Sequence, residues 1–233
     1  ISPEVELRSG MLNLEEETPF AKGGHRACYR HPDDSRKCIK VMTEDWRMAD
    51  RRLRAHWIVR MCRPKWYFHE NLAEYRFLQS QEKRVGEVAW NFVPRAYEVI
   101  STDVGDGLVV DLIQDDDGAI SMTLTEYLWK NGLTKECQAA LDTMWEGLER
   151  FRIFVQGRPD NLVVQQKLDG TCQCIAIDGF GFPQLIPLTK WWKKEARRKI
   201  ARRKMKQREK IENLLEKRKE GVKVSEKGFL LAR

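Results

Sequence analysis

Apolar and polar residues alternate with different periods along this chain, and those periods predict its elements. Residues 1–17 are polar and end in Glu15-Glu16-Glu17. Thr18 to Arg30 begin apolar, pass through Gly23-Gly24 and return to Cys28-Tyr29, which predicts a β-hairpin with a glycine-rich turn. His31-Pro-Asp-Asp-Ser35 predicts a turn, and Cys38 to Met42 a short strand in which Lys40 alternates with Ile39 and Val41. From Asp45 to Arg63 the chain is helix-compatible, with basic residues all round it, until Pro64 interrupts. Phe68, Leu72, Tyr75 and Leu78 recur every three or four residues and predict a helix over 67–81. Strands over 93–100 and 107–113 follow, then helices over 123–132 and 134–153. Leu162 to Val164 and Cys174 to Ile177 predict a second hairpin, turning at Asp169-Gly170. Pro183 and Pro187 bracket a loop. Trp191 to Lys219 predicts a long basic helix with a thin apolar stripe of Ile200, Met205, Ile211, Leu214 and Leu215. The order predicts an α+β fold: strands with one helix first, then mainly helices with a small hairpin.

Composition adds bounds. At 233 residues the chain can bury a real core, and no apolar run is long enough to span a bilayer. The sequence from Ile1 shows no secretory signal pattern, and a start at Ile reads as a fragment or a processed form. Six cysteines (Cys28, Cys38, Cys62, Cys137, Cys172 and Cys174) show no zinc-ligand spacing, so packing is their expected role. Free thiols fit a reducing cytoplasm. The net charge of +7 is unevenly distributed. Residues 190–233 hold 18 Lys and Arg against 6 Asp and Glu, while the rest of the chain is mildly acidic. That asymmetry bears on partners rather than on fold.

Five features then fall in a meaningful order. Closely spaced Gly23 and Gly24 let backbone N–H groups approach phosphate oxygens, although many such hairpins hold no ligand. Beside them, His25 and Arg26 are either phosphate contacts or solvated turn residues. Lys40, between two apolar strand neighbours, faces water or sits in a site. Glu74 on the next helix can pair with it, with Glu70 one turn earlier as the competing choice. Asn161 closes the run Arg158-Pro-Asp-Asn161, and Asp178 stands 17 residues beyond it. An amide oxygen and a carboxylate brought together can hold Mg²⁺ on a nucleotide's phosphates.

This ordered set resembles the protein-kinase-like fold. More narrowly, Gly23-Gly-His-Arg-Ala-Cys-Tyr-Arg-His-Pro32, then Cys38-Ile-Lys40, and Ser121-Met-Thr-Leu-Thr-Glu126 resemble the bacterial YrbL family of PhoP regulatory network proteins. The resemblance runs from about Leu14 to Trp192. It implies a two-lobed α+β fold with an antiparallel-sheet N-lobe, a mainly helical C-lobe and the nucleotide between them. The implied divisions are an extension over 1–17, an N-lobe over 18–113, a C-lobe over 114–189 and a basic helical tail over 190–233, packed on or extending from the C-lobe. The implied cofactors are ATP and Mg²⁺. Gly23 and Gly24 would cover the phosphates, Lys40 would pair with them, and Glu74 would hold Lys40. The segment from Val109 to Ile113, with Asp111 and Leu112 at its centre, would offer backbone groups to adenine. Asn161 and Asp178 would be the metal ligands.

Three departures from the family pattern matter. Ala21 stands where the first loop glycine is expected, and the metal-binding triplet reads Asp178-Gly-Phe, with Gly181 following. Gln156 stands where kinases place the catalytic Asp, and glutamine cannot accept a proton at neutral pH. The catalytic candidates are therefore Gln156, Arg158 and Asp160. The implied activity is a phosphotransferase of unknown acceptor (a protein, a sugar or a lipid-linked sugar). The alternative is a nucleotide-binding pseudokinase with a regulatory or scaffolding role. Residues 190–220 further allow an anionic membrane surface or nucleic acid as partner, so a peripheral place at the inner membrane face and a non-enzymatic nucleic-acid-binding protein both remain open.

Overall fold

Alternation along the first strands becomes two faces of one sheet. The computed structural model describes residues 12–23, 26–43, 65–180, 193–222 and 230. Strands β1 (Ala21–Lys22), β2 (Arg26–Arg30), β3 (Lys37–Met42), β4 (Ala96–Thr102) and β5 (Gly105–Asp111) form an antiparallel sheet in the order β1-β2-β3-β5-β4. Register puts Cys28 opposite Lys40, and Lys40 opposite Leu108. Paired residues share a face, and neighbours along a strand point oppositely. One face therefore carries Ile39, Val41, Val109 and Ile100, which bury together with Leu14 under Leu12, Tyr29 and Val104. The other carries Arg26, Cys28, Cys38 and Lys40. Helix α1 (Glu70–Val85) follows a 3₁₀ turn over Lys65–Phe68 and begins three residues later than its periodicity predicts.

A second, three-stranded sheet, β6 (Met122–Thr123), β7 (Leu162–Gln166) and β8 (Cys172–Ala176), is also antiparallel and in sequence order. It keeps the predicted hairpin, with Val164 opposite Cys174. Helix α2 (Leu124–Asn131) starts at a capping Thr: the Thr123 hydroxyl accepts from the Glu126 N–H, as the Thr-x-x-Glu spacing favours. Helix α3 (Lys135–Phe151) is capped in the same way by Thr134 and ends on Arg152 in the left-handed conformation. Gly147 on α3 has no Cβ because the Phe92 ring occupies that place, 2.1 Å from where a Cβ would stand.

Helix α4 (Lys193–Lys219) is the basic tail. It buries Ala196, Ile200, Gln207 and Ile211 and packs on α2 and α3. Met205, expected in the apolar stripe, is 64% exposed. Spacings of four and seven residues keep 196, 200, 207 and 211 on one side of a 3.6-residue helix, and 205 falls off that side. Lys204 holds Asp142 of α3 at 2.8 Å, and the Arg218 guanidinium donates to the Trp129 carbonyl of α2 at 2.6 Å.

The chain divides into two units, one of residues 1–80 and 95–112, the other of residues 81–94 and 113–231. The architecture is α+β with antiparallel sheets and four helices among the described residues. No described helix is long and apolar enough to cross a membrane. The helix expected over 45–63, the loop at Pro183 and Pro187, the Trp191-Trp192 pair, and Gly24, His25 and Gly181 lie outside the described residues.

Candidate functional site

The first unit builds a charged cluster on the sheet face opposite its apolar core. Lys40 and Glu74 are each 6% exposed, and Lys40 Nζ donates to Glu74 Oε1 at 2.7 Å. Arg26 does not stay in solvent as a turn residue. It is also 6% exposed, and its Nη1 donates to Glu74 Oε2. One carboxylate thus takes two cations, one per oxygen, from adjacent strands. Burying a charge is costly unless it is paired and hydrogen-bonded, and this geometry supplies both.

Glu74, not Glu70, faces Lys40 because α1 is fixed at its start by Asn71. The Asn71 amide donates to the Lys40 carbonyl at 2.9 Å and to the Asp106 carbonyl at 2.8 Å. Asn71 is fully buried. Sequence reasoning missed it, although an Asn one helical turn before Glu74 lies on the same face, and Asn is a poor helix former without a partner.

At the sheet margin, Gly23 closes the turn by donating its N–H to the Arg26 carbonyl at 2.8 Å. In the segment expected to meet adenine, two backbone donors have partners within the first unit. The Asp111 N–H donates to the Arg95 carbonyl at 3.0 Å and the Leu112 N–H to the Arg36 carbonyl at 2.8 Å. Both backbone donors are consumed by the fold, because this strand end is closed by its neighbours. The Asp111 carboxylate accepts from the Tyr97 hydroxyl at 2.7 Å and from the Arg95 N–H at 2.8 Å. Burial, and then that bond to Asp111, push the Tyr97 phenol up to about 12. Burial also pushes up the Cys38 thiol.

In the second unit, the loop from Val155 to Asn161 and the segment after β8 are held together by backbone. Gln156 N–H donates to the Gly179 carbonyl at 2.8 Å, and Ile177 N–H to the Asn161 carbonyl at 2.9 Å. Gly179 has φ +72, and a Cβ there would stand 2.6 Å from Asn161 Nδ2 and 3.0 Å from the Gln156 Cβ. The glycine lets Gln156, Asn161 and Asp178 converge on one patch of chain. Asp178 Oδ1 accepts from the Gly179 N–H at 2.5 Å. Asn161 and Asp178 are half-buried and Gln156 is exposed.

Asp160, next to Asn161, is engaged by Arg158. Arg158 grips it with two bonds, Nε to Oδ1 at 2.9 Å and Nη2 to Oδ2 at 2.7 Å. That bond to Asp160 is the main reason the Arg158 guanidinium holds its proton more tightly than usual. Both carboxylate oxygens of Asp160 are thus engaged by one guanidinium. An amide and a carboxylate form a hard oxygen donor pair suited to Mg²⁺, which keeps several waters. Among the described residues no group of three or more His, Cys, Asp or Glu could hold a metal ion.

Comparison with known proteins covers these same residues. The family described as PhoP regulatory network protein YrbL matches residues 12–212. The uncharacterized protein YrbL of Escherichia coli (strain K12) is 30% identical over 188 residues, 78% of this chain and 80% of that protein. The uncharacterized protein YrbL of Shigella flexneri matches at the same identity over the same shares.

Proposed function

We propose, for a chain that belongs to the PhoP regulatory network protein YrbL family, that it is an ATP- and Mg²⁺-dependent phosphotransferase with a two-lobed, kinase-like fold and no general base. The observation that carries this reading is the buried Lys40–Glu74 pair, 2.7 Å between Nζ and Oε1. A lysine aimed by a helix carboxylate is what nucleotide phosphates require of the first unit. In the second unit, Asn161 and Asp178 would hold Mg²⁺, whose charge neutralises phosphate oxygens. Gln156 would orient the acceptor hydroxyl by hydrogen bonding without taking its proton. Losing general-base help costs about 10²–10⁴-fold in rate, and positioning carries much of phosphoryl transfer. The acceptor class is a protein, a sugar or a lipid-linked sugar.

A second reading, a nucleotide-binding pseudokinase with a regulatory role, is favoured by Asp160. The nearest alternative base is occupied by Arg158. Transfer from radiolabelled ATP across protein and sugar acceptor panels separates the two. Transfer that needs Mg²⁺ and is lost in Asp178→Ala supports the phosphotransferase and sinks the pseudokinase. Saturable ATP binding with no transfer or hydrolysis supports the pseudokinase and sinks the phosphotransferase.

A further inference from the structure

Helix α4 carries Lys199, Arg202, Arg203, Lys206 and Lys210 at three- and four-residue spacings, which put them along one side. That side and the loop of Gln156, Gly157 and Arg158 line a groove of about 350 Å³, wholly within the second unit. No acidic side chain lines the groove among the described residues. The helix's carboxylate contacts lie elsewhere: Lys204 and Arg208 meet Asp142, and Arg197 meets Glu149. The Arg203 guanidinium donates to the Val155 carbonyl and so fixes the helix against the loop. Burial, then neighbouring Arg203 and Arg202, hold the Lys199 ammonium below its usual range. Arg158 is paired with Asp160, but the helix residues of the groove concentrate positive charge with no carboxylate in the groove's own lining.

A second observation is independent of charge. Gln207 lines the groove and is only 3% exposed. The Trp145 indole N–H donates to its Oε1 at 2.6 Å. An indole nitrogen can only donate, so this bond assigns the oxygen and leaves Nε2 facing the other way. Nε2 is buried with no hydrogen-bond partner among the described residues. It lies 3.8 Å from where a Cβ on Gly157 would stand, an ordinary contact distance, while the close approach that the missing Cβ permits is that of the Trp145 ring at 2.6 Å. A buried donor without an acceptor is rare in folded proteins and marks a place for one.

We propose that this groove binds a small molecule bearing a phosphate group, with Arg202, Lys206 and Lys210 around the phosphate oxygens and Gln207 Nε2 donating from the groove floor. The volume suits a small ligand. A membrane surface or a nucleic-acid duplex would cover the exposed helix side without reaching a buried amide. Binding here does not rest on the nucleotide reading; assigning the bound molecule as phosphoryl acceptor does.

The test is calorimetric titration of the full chain with inorganic phosphate in chloride buffer. It is run in a Lys40→Met background, so that a phosphate contact at Lys40 cannot contribute. Saturable one-to-one binding is expected. Arg202→Ala/Lys206→Ala should weaken it at least tenfold, and Gln207→Leu at least threefold. Removing equal charge off the groove, in Arg197→Ala/Arg198→Ala, should leave it within twofold. Both double variants change exposed residues, so the comparison stands even if Gln207→Leu does not fold. Absence of saturable binding overturns the proposal, as does equal weakening by both double variants. It is also overturned if these groove substitutions leave phosphate binding intact and abolish binding to a single-stranded oligonucleotide or to phosphatidylglycerol vesicles.

Discussion

The cluster around Glu74 and the patch around Gly179 hold their polar groups by opposite means. Around Glu74, three buried charged side chains from two strands and a helix satisfy one another. Around Gly179, the framework is backbone to backbone, and the side chains of Gln156, Asn161 and Asp178 stand half-buried or exposed beside a glycine that has no Cβ. The first arrangement resists loss of its central charge poorly, because two buried cations would lose the carboxylate they share. The second resists side-chain changes well and backbone changes poorly. A fold that spends ion pairs on one cluster and a positive φ on the other is vulnerable to different substitutions in each.

The largest expected effect follows from that contrast. Glu74→Leu removes the carboxylate that Arg26 and Lys40 share and should cost about 3–5 kcal/mol in urea unfolding, as breaking a buried pair usually does. Gln156→Ala, at an exposed position, should change stability by less than about 0.5 kcal/mol. If the two cost the same, the Glu74 cluster does not hold the first unit as described. Next comes rate. On the phosphotransferase reading, Gln156→Asp restores a carboxylate at the base position and should raise turnover about 10²-fold or more. No gain would place the chemistry's limit elsewhere than at Gln156.

Backbone substitution ranks third. Gly179→Ala sets a Cβ 2.6 Å from Asn161 Nδ2 at φ +72. It should cost about 1–3 kcal/mol and, on the phosphotransferase reading, weaken Mg²⁺ dependence along with stability. Gly170→Ala, at φ +81 with open space around it, isolates the conformational part and should cost less. Equal costs would mean that the close approach to Asn161 contributes nothing.

The smallest effect is a titration. Tyr97 holds its phenolic proton up to about 12 because of burial and its bond to Asp111. A raised folded value means that this bond's contribution is complete below the ordinary tyrosine value of about 10 and is lost as pH rises from there to the folded value. Ultraviolet titration of Asp111→Asn should bring Tyr97 back toward the ordinary value. An unchanged titration would show that burial alone sets it.

Most elements were legible because their periods are clean. The Cys38 strand, the helix around Leu78, the hairpin at Asp169-Gly170 and the two helices after Met122 all stand close to where alternation put them. The order of residues offered Glu74 and Glu70 as partners for Lys40, and the family resemblance pointed to Glu74, which holds it at 2.7 Å. The place of Arg26 was not. A one-residue change in register moves every side chain of a strand to the other face, and no local pattern settles whether Arg26 shares a face with Lys40. Gln207 was invisible for a related reason. A glutamine in a basic helix carries no apolar signal, yet it continues the buried seam of Ala196, Ile200 and Ile211. The bonds from the Asp111 and Leu112 N–H groups to the Arg95 and Arg36 carbonyls were not legible either, because only tertiary structure brings those carbonyls to the strand end.

Nucleotide binding by the Glu74 cluster is the central claim, and Lys40→Met is its cleanest probe. Glu74 keeps Arg26 as partner in that variant, so the fold should survive the change. Thermal unfolding with and without ATP and Mg²⁺ should show a concentration-dependent rise in Tm for the unsubstituted chain, and none for Lys40→Met at the same concentrations. No rise in the unsubstituted chain, or an equal rise in a folded Lys40→Met variant, would contradict it.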